Sequence, residues 1–279
     1  RLPTEKTGLL GTILMVTQKN TALVTGATRG IGYELSKLFA QDGHDLVINA
    51  RHIGDLEEAA AEFEASFGIS VHPIAVDLSQ PDTPEAIFER VRAEGVTVDV
   101  LVNNAGFGLR GAFAETELET ELRMMQVNMG ALTHLTKLFL GGMLERGSGA
   151  ILNVASTAAY MPGPLMSVYY ATKAYVLSFT EALASELEGS GVGVTVLCPG
   201  PTKSHFKKRA KQRGIWMRYL LREMEPETVA RAGFRAVKRS RRLAVPSLQD
   251  WLVVFFHRFV PRPLLAHLVR ELHRRREVD

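Results

Sequence analysis

The sequence predicts an α/β fold: one parallel sheet, doubly wound, with helices on both faces. Three observations predict it. Short apolar runs alternate with segments of helical period from Thr21 to Cys198. The runs are apolar almost without interruption, as strands buried on both faces must be. A glycine-rich turn, Thr25-Gly26-Ala27-Thr28-Arg29-Gly30-Ile31-Gly32, joins the first run to the first helical segment.

Taken in order, Thr21–Gly26 reads as a strand into that turn, and Ile31–Ala40 as the first helix. Asp45–Ala50 is the second strand, and Leu56–Phe67 the second helix, with Gly68 as its stop. Val71–Leu78 is the third strand, and Pro84–Glu94 a helix opened by an early proline. Val98–Asn104 is the fourth strand, followed by a long helix from Glu117 to about Leu140. Strand Ala150–Ala155, helix Ser167–Glu188 and strand Val192–Cys198 continue the series, and Arg241–Pro246 reads as a last, seventh strand. Alternation of this kind implies right-handed crossovers and a single sheet. No internal repeat or linker divides the chain. Residues 1–18 read as a leader outside the fold, 19–247 as the domain, with a lid over about 202–225, and 248–279 as a helical extension.

The chain has 279 residues, 46% of them hydrophobic, enough for a full core and too apolar for disorder. One cysteine, Cys198, allows no disulfide within the chain and fits a reducing, cytoplasmic compartment. No apolar run reaches the roughly 18–20 residues of a spanning helix. The net charge of +3 hides an asymmetry. Residues 1–200 hold 13 Lys and Arg against 23 Asp and Glu, a net −10; residues 201–279 hold 20 against 7, a net +13.

The chemistry concentrates in Ser167-Val168-Tyr169-Tyr170-Ala171-Thr172-Lys173, with Ser156 upstream. Tyr169 and Lys173 are four apart, so on a helix they share a face, one turn from each other. A phenol has an unperturbed pKa of about 10. A neighbouring ammonium favours the phenolate, so the pair can move a proton near neutral pH. Ser156 ends a buried strand, where its hydroxyl can hold a substrate oxygen beside Tyr169. In the glycine turn, close backbone approach and a helix N-terminus suit a pyrophosphate, although the spacing is Gly-x-x-x-Gly-x-Gly.

With these motifs in order, the chain resembles the short-chain dehydrogenase/reductase family over roughly residues 20–206. The resemblance rests on Gly26, Gly30 and Gly32; on Asn103-Asn104-Ala105-Gly106; on Ser156 and Tyr169, thirteen apart; on Tyr169-x-x-x-Lys173; and on Pro199-Gly200 followed by Thr202. It implies a Rossmann-type domain. It implies Tyr169 as general acid/base with its pKa lowered by Lys173 and the nicotinamide charge, Ser156 as the orienting hydroxyl, and Asn128 as the holder of a relay water. Lys173 would also bind the nicotinamide ribose. The dinucleotide would lie along Gly26, Thr28, Arg29, Gly30, Ile31 and Gly32. Asp77 and Leu78 would meet the adenine, and Asn104, Ala105 and Gly106 its ribose. Pro199, Gly200 and Thr202 would cup the nicotinamide amide. Tyr170, three residues from Lys173 and fourteen from Ser156, is assigned to packing or the pocket wall.

Charge argues for NADP. An NAD site usually has an acid at the end of strand two, whereas Asn49-Ala50-Arg51-His52 has none, and Arg51 with Arg29 suits a 2′-phosphate. No metal is expected, because His44, His72 and His134 lack ligand spacing. Glu115, Glu117, Glu119 and Glu121 read as a solvated helix start. In the lid, Trp216, Met217, Tyr219, Leu220 and Leu221 are candidates for an apolar pocket wall. Three uses compete for the apolar, Arg-flanked segment after residue 247: covering the pocket, a homodimer contact, or peripheral contact with an anionic membrane surface. Nucleic acid is a poor fit, since no recognition fold accompanies the charge. The function expected is reduction of an apolar or lipid-like ketone to a secondary alcohol, or the reverse. The alternative is a non-catalytic NADP-binding regulator or scaffold on the same fold.

Overall fold

The computed structural model describes residues 19–203 and 223–274. The leader and most of the predicted lid, with its aromatic residues, lie outside them. Seven strands form one parallel sheet: β1 (Thr21–Thr25), β2 (Asp45–Ala50), β3 (Val71–Ala75), β4 (Val100–Asn103), β5 (Gly149–Val154), β6 (Val192–Leu197) and β7 (Leu243–Ala244). Their order is β3-β2-β1-β4-β5-β6-β7. The chain winds outward from β1 in one direction and then, from β4, in the other. This reversal leaves a crevice beyond the carboxyl ends of β1 and β4.

Alternate strand residues build two cores. Ala22, Val24, Val102 and Leu152 face α1 (Gly30–Gln41), α2 (Ile53–Phe67) and α7 (Pro226–Lys238). Leu23, Leu101 and Ile151 face α3 (Thr83–Ala93), α5 (Leu132–Arg146) and α6 (Ser167–Glu186). Both faces are therefore dry, which is why the strands read as continuous apolar runs. Gly68 closes α2 in the left-handed region, φ 63°, as its position in the sequence predicts.

The structure corrects several boundaries. The third strand stops at Ala75, and the chain turns where the Asp77 carboxylate accepts from the Ser79 N–H at 3.0 Å. The last strand is two residues long, because Pro246 has no N–H to extend an edge ladder. The predicted long helix is α4 (Leu118–Met125) running into α5 through a π-helical turn, Gln126–Ala131, that contains Asn128. Glu121 is buried and accepts from the Thr116 hydroxyl at 3.0 Å, so the acidic helix start is not uniformly solvated. After β7 come α8 (Leu248–Phe256) and α9 (Arg262–Arg274). Among the described residues no helix is long and apolar enough to cross a membrane.

The centre of the sheet carries a polar thread. Asn103 and Asn153 pair across β4 and β5, the Asn103 amide donating to Asn153 at 2.9 Å and to the Thr136 hydroxyl at 3.0 Å. The Asn153 amide donates to Thr180 at 3.0 Å. These buried amide donors fix the register of strand against helix, although the Asn103 side-chain oxygen is buried without a hydrogen-bond partner among the described residues. The apolar neighbours supply the bulk of the stability. Leu101→Ala, at a site with no exposure between Leu23 and Ile151, is expected to cost about 3 kcal/mol, read as a lower urea midpoint with an unchanged slope.

Candidate active site

At the crevice, the turn after β1 and the turn after β4 are in contact. The Asn104 amide donates to the carbonyls of Thr25 at 2.8 Å and Gly26 at 3.2 Å. The Thr25 hydroxyl accepts from the N–H groups of Asn104 and Ala105, each at 3.0 Å. Gly26 and Gly30 have φ of 66° and 61°, which disfavours any side chain. A Cβ on Gly32 would lie 2.2 Å from the Gly26 carbonyl oxygen and 2.3 Å from the Asn104 amide nitrogen. The cradle therefore exists only with glycine there. No side chain caps α1 and no acid stands in its first turn, so its leading N–H groups and positive dipole end are available to an anion. This arrangement fits a dinucleotide pyrophosphate across Gly26, Thr28, Gly30, Ile31 and Gly32.

The adenine-end residues spread around this turn. Leu78 is buried and Asp77 half-buried, the latter 3.7 Å from the Arg123 guanidinium. Arg51 is exposed just past β2. Arg29 pairs at 2.9 Å with Asp55 in the first turn of α2, a carboxylate that the sequence did not place near this arginine.

The second half of the site is carried by β5 and α6. Lys173 is buried, and its Nζ donates to the Val154 carbonyl at 2.8 Å. Two residues beyond Val154, Ser156 donates to the Pro199 carbonyl at 3.3 Å and accepts from the Ala158 N–H at 3.1 Å. The Tyr169 phenol, one turn before Lys173, is buried and hydrogen-bonded to Ser156. Asn128 reaches in from the π-helical turn. Its amide donates to the Phe107 carbonyl and to the Thr172 hydroxyl, each at 3.0 Å, and its oxygen accepts from the Phe107 N–H at 3.1 Å. Asn128 and Lys173 meet at Gly106, where a Cβ would stand 3.0 Å from the one side-chain oxygen and 3.6 Å from the other's Nζ. Pro199 and Gly200 follow β6 beside Ser156, and Thr202 donates back to the Gly200 carbonyl at 3.0 Å. The structure thus brings Asn128, Ser156, Tyr169 and Lys173 together next to Gly106 and Pro199.

One expectation is reversed in the protein alone. Burial pushes the Tyr169 phenol up to about 12, against a smaller lowering by Ser156. Burial pulls Lys173 down to about 8. The Lys173 Nζ is 5.9 Å from the Tyr169 ring centroid, with Val154 as its bonded partner, so desolvation outweighs its pull on the phenol. The relay reading of Asn128 is narrowed too, since both its amide hydrogens are spent on protein partners. Sequence reasoning missed Thr25 and Thr172, whose hydroxyls lock the two turns and Asn128; a threonine in a strand or helix carries no signal of its own. A separate apolar groove of about 350 Å3, lined by Met125, Met129, Val168 and Ala171 among others, contains none of the predicted site residues. Among the described residues no group of three His, Cys, Asp or Glu side chains is placed to hold a metal.

Comparisons with known proteins agree with this geometry. The short chain dehydrogenase family matches residues 20–214. "Probable oxidoreductase EphD" of Mycobacterium tuberculosis is 34% identical over 256 residues, 86% of this chain but 43% of that protein, so the chain spans less than half the length of this relative. A very-long-chain 3-oxoacyl-CoA reductase of Anas platyrhynchos is 32% identical over 222 residues, covering 77% of this chain and 68% of that protein. Among solved structures, a short-chain dehydrogenase from Sphingobium yanoikuyae in complex with NADPH has a TM-score of 0.77 at 32% identity, covering 86% of this chain and 93% of that one. A glycine cradle at the strand-order reversal, a serine–tyrosine pair seated on a buried lysine and a match over most of the chain make this protein a member of the short-chain dehydrogenase family of oxidoreductases.

Proposed function

We propose that the chain is an NADP(H)-dependent reductase that interconverts a ketone and a secondary alcohol on an apolar, lipid-like substrate. The observation that carries this reading is the buried Tyr169 phenol hydrogen-bonded to Ser156, one helical turn from Lys173. When bound, NADP(H) supplies or accepts the hydride at its nicotinamide ring. The chain's own part is to seat the reacting oxygen and move one proton. Ser156 and Tyr169 present two O–H groups to one substrate oxygen. In reduction Tyr169 gives its proton to that oxygen; in oxidation its phenolate takes the proton back. Burial keeps Tyr169 protonated, so the acid form is the resting state. Lys173, poised near 8, can then return a proton to the phenolate.

The NADP preference is supported by Arg51, exposed past β2 with no acid beside it, and by the NADPH complex of the Sphingobium relative. Arg29 would serve the same phosphate only by sharing or leaving Asp55. An apolar substrate is supported by Met124, Met166, Ala158, Phe107 and Leu109, which cluster around Tyr169. A contact of α8 and the turn that follows it with a second copy or an anionic membrane is supported by exposed Trp251, Phe256 and Phe259. A regulator without turnover is not favoured, because binding alone needs neither a buried lysine nor a phenol on a serine.

Tyr169→Phe is expected to lower kcat by two to four orders of magnitude while leaving the NADPH Kd within about two-fold, measured by NADPH absorbance and fluorescence titration. Undiminished turnover would remove Tyr169 from the chemistry. Arg51→Ala should weaken NADPH about ten-fold or more and leave NADH binding unchanged; tighter wild-type binding of NADH than NADPH would overturn the cofactor assignment. Lys173 also predicts a pH effect. Its folded pKa, about 8, lies below the ordinary 10.5, so its burial as a cation weakens the fold. That cost, about 3 kcal/mol, is full below pH 8 and disappears as pH rises toward 10.5. Lys173→Met should therefore unfold at a higher temperature than wild type at pH 7, with the gap closing between pH 8 and 10.5. A gap constant with pH would contradict the assignment.

A further inference from the structure

The C-terminal helices are not needed to finish the sheet, yet each buries one ionisable side chain against a different end of the cleft. We propose that Asp250 and His273 are positioning residues of the active site, Asp250 bracing the Pro199–Gly200 loop and His273 bracing the wall formed by Pro164 and Tyr170.

Asp250 lies in the first turn of α8, capped by Ser247, whose hydroxyl oxygen accepts from the Asp250 N–H at 3.0 Å. Ser-x-x-Asp is a capping pattern, and an acid there usually stays wet. This one is 3% exposed. Its carboxylate lies against the Ser247 side chain and, across the fold, against the Gly200 backbone, both of which hold its pKa down against the larger effect of burial. A Cβ at Gly200 would stand 1.9 Å from Asp250 Oδ1, so the loop touches the carboxylate directly. Oδ2 is buried without a hydrogen-bond partner among the described residues. A half-satisfied buried carboxylate is costly, and burial accordingly pushes its pKa up. A cap alone does not require this burial, whereas holding the loop does. The next residue back, Pro199, accepts from Ser156 and from the Thr157 N–H at 2.9 Å. Asp250 thus braces, through two residues, the serine that faces Tyr169.

His273 lies in the last turn of α9 and is 2% exposed. Its Nδ1 is 2.7 Å from the Pro164 carbonyl, which can only accept, so Nδ1 carries the hydrogen. In the neutral ring Nε2 then accepts from the Tyr170 hydroxyl at 3.3 Å. The Arg110 guanidinium donates to the His273 carbonyl. The wall so held includes Leu165 with φ 67°, a left-handed non-glycine backbone tied by its carbonyl to the Gly111 N–H at 2.9 Å. Tyr170 lies flat over Gly163, where a Cβ would meet its ring at 2.1 Å, and its ring centroid is 6.0 Å from that of Tyr169. Removing His273 frees both the strained loop and the neighbour of the catalytic phenol. Neither Asp250 nor His273 touches the reacting atoms.

The inference rests on the reductase reading for its kinetic test, and two variants separate the two ends. Asp250→Ala should raise the NADPH Kd about three- to ten-fold, the worth of one or two net hydrogen bonds, with a smaller rise in the ketone KM passed on through Pro199 and Ser156. His273→Ala should raise the ketone KM by a similar factor with the NADPH Kd unchanged. Asp250→Asn and His273→Asn, which keep an acceptor and a δ-position donor, should recover most of each loss and serve where the alanine variants fold poorly. Hydrogen exchange without substrate supplies the independent readout: faster exchange at 161–166 only in the His273 variant, and around Gly200 only in the Asp250 variant. Equal shifts of Kd and KM in both variants, or exchange unchanged at both places, would overturn the inference. Local exchange responses in a wild-type protein that turns over no ketone would sink the reductase reading and leave the bracing intact.

Discussion

Lys173 is bonded by its Nζ to the carbonyl of Val154, and the rest of the site is set out from that bond. The lysine belongs to α6 and the carbonyl to the end of β5, so a single contact fixes the register of one against the other. One turn before the lysine, α6 delivers Tyr169. Two residues past the carbonyl, β5 delivers Ser156. With the bond in place, phenol and hydroxyl face each other; a slip by one helical residue would rotate Tyr169 away by about 100°. The lysine is drawn down to about 8 because this bond is made in a dry place. Stability is given up there for geometry, a common trade at reacting centres.

The other half of the site depends on close approach rather than charge. Gly32, Gly26 and Asn104 leave no room for a Cβ between the first helix and the turn after β4. The anion-facing end of α1 is consequently fixed to the same strand, β4, that pairs with β5. The buried Asn103–Asn153 pair ties these strands at their carboxyl ends. A dinucleotide lying along this edge would meet both halves without either having to move.

The large-scale pattern was legible because it is a matter of burial. A sheet covered on both faces needs unbroken apolar runs, and helices between them need period 3.6; both survive in the bare sequence. The glycine turn and the Tyr169–Lys173 spacing were legible because backbone approach and helical geometry each demand fixed spacings. What was hidden depends on contacts between distant segments. The π-helical turn around Asn128 inserts a residue without altering the apolar period enough to show. Glu121 was assigned to solvent with its acidic neighbours, but it is buried with one oxygen on the Thr116 hydroxyl five residues away, a contact no local pattern reveals. The Arg29–Asp55 pair arises because the turn after β1 and the start of α2 lie side by side, which no local pattern reveals. The raised phenol was missed because spacing gives the neighbour's charge but not the dielectric around it.

The C-terminal pair shows why composition left three uses open for this segment, pocket cover among them. Its arginines and aromatics dominate the sequence of the segment, and they point to a surface. On the folded chain they do lie outward: Trp251, Phe256 and Phe259 are exposed, and Arg258 sits over the Phe255 ring at 5.2 Å. The inward residues are fewer and plainer, Val254 and Asp250 from α8, Val269 and His273 from α9. A helix is read from sequence by its majority face, whereas its anchoring is decided by the minority face that is buried. Here that minority includes a carboxylate and an imidazole, groups that remain in a core only where a defined partner offsets their desolvation. The carboxylate lies against the Gly200 backbone, and the imidazole bonds the Pro164 carbonyl and the Tyr170 hydroxyl, all within a few residues of the predicted chemistry. On the bracing proposed above, the extension would be the last-built wall of the cleft rather than an appendage to the sheet.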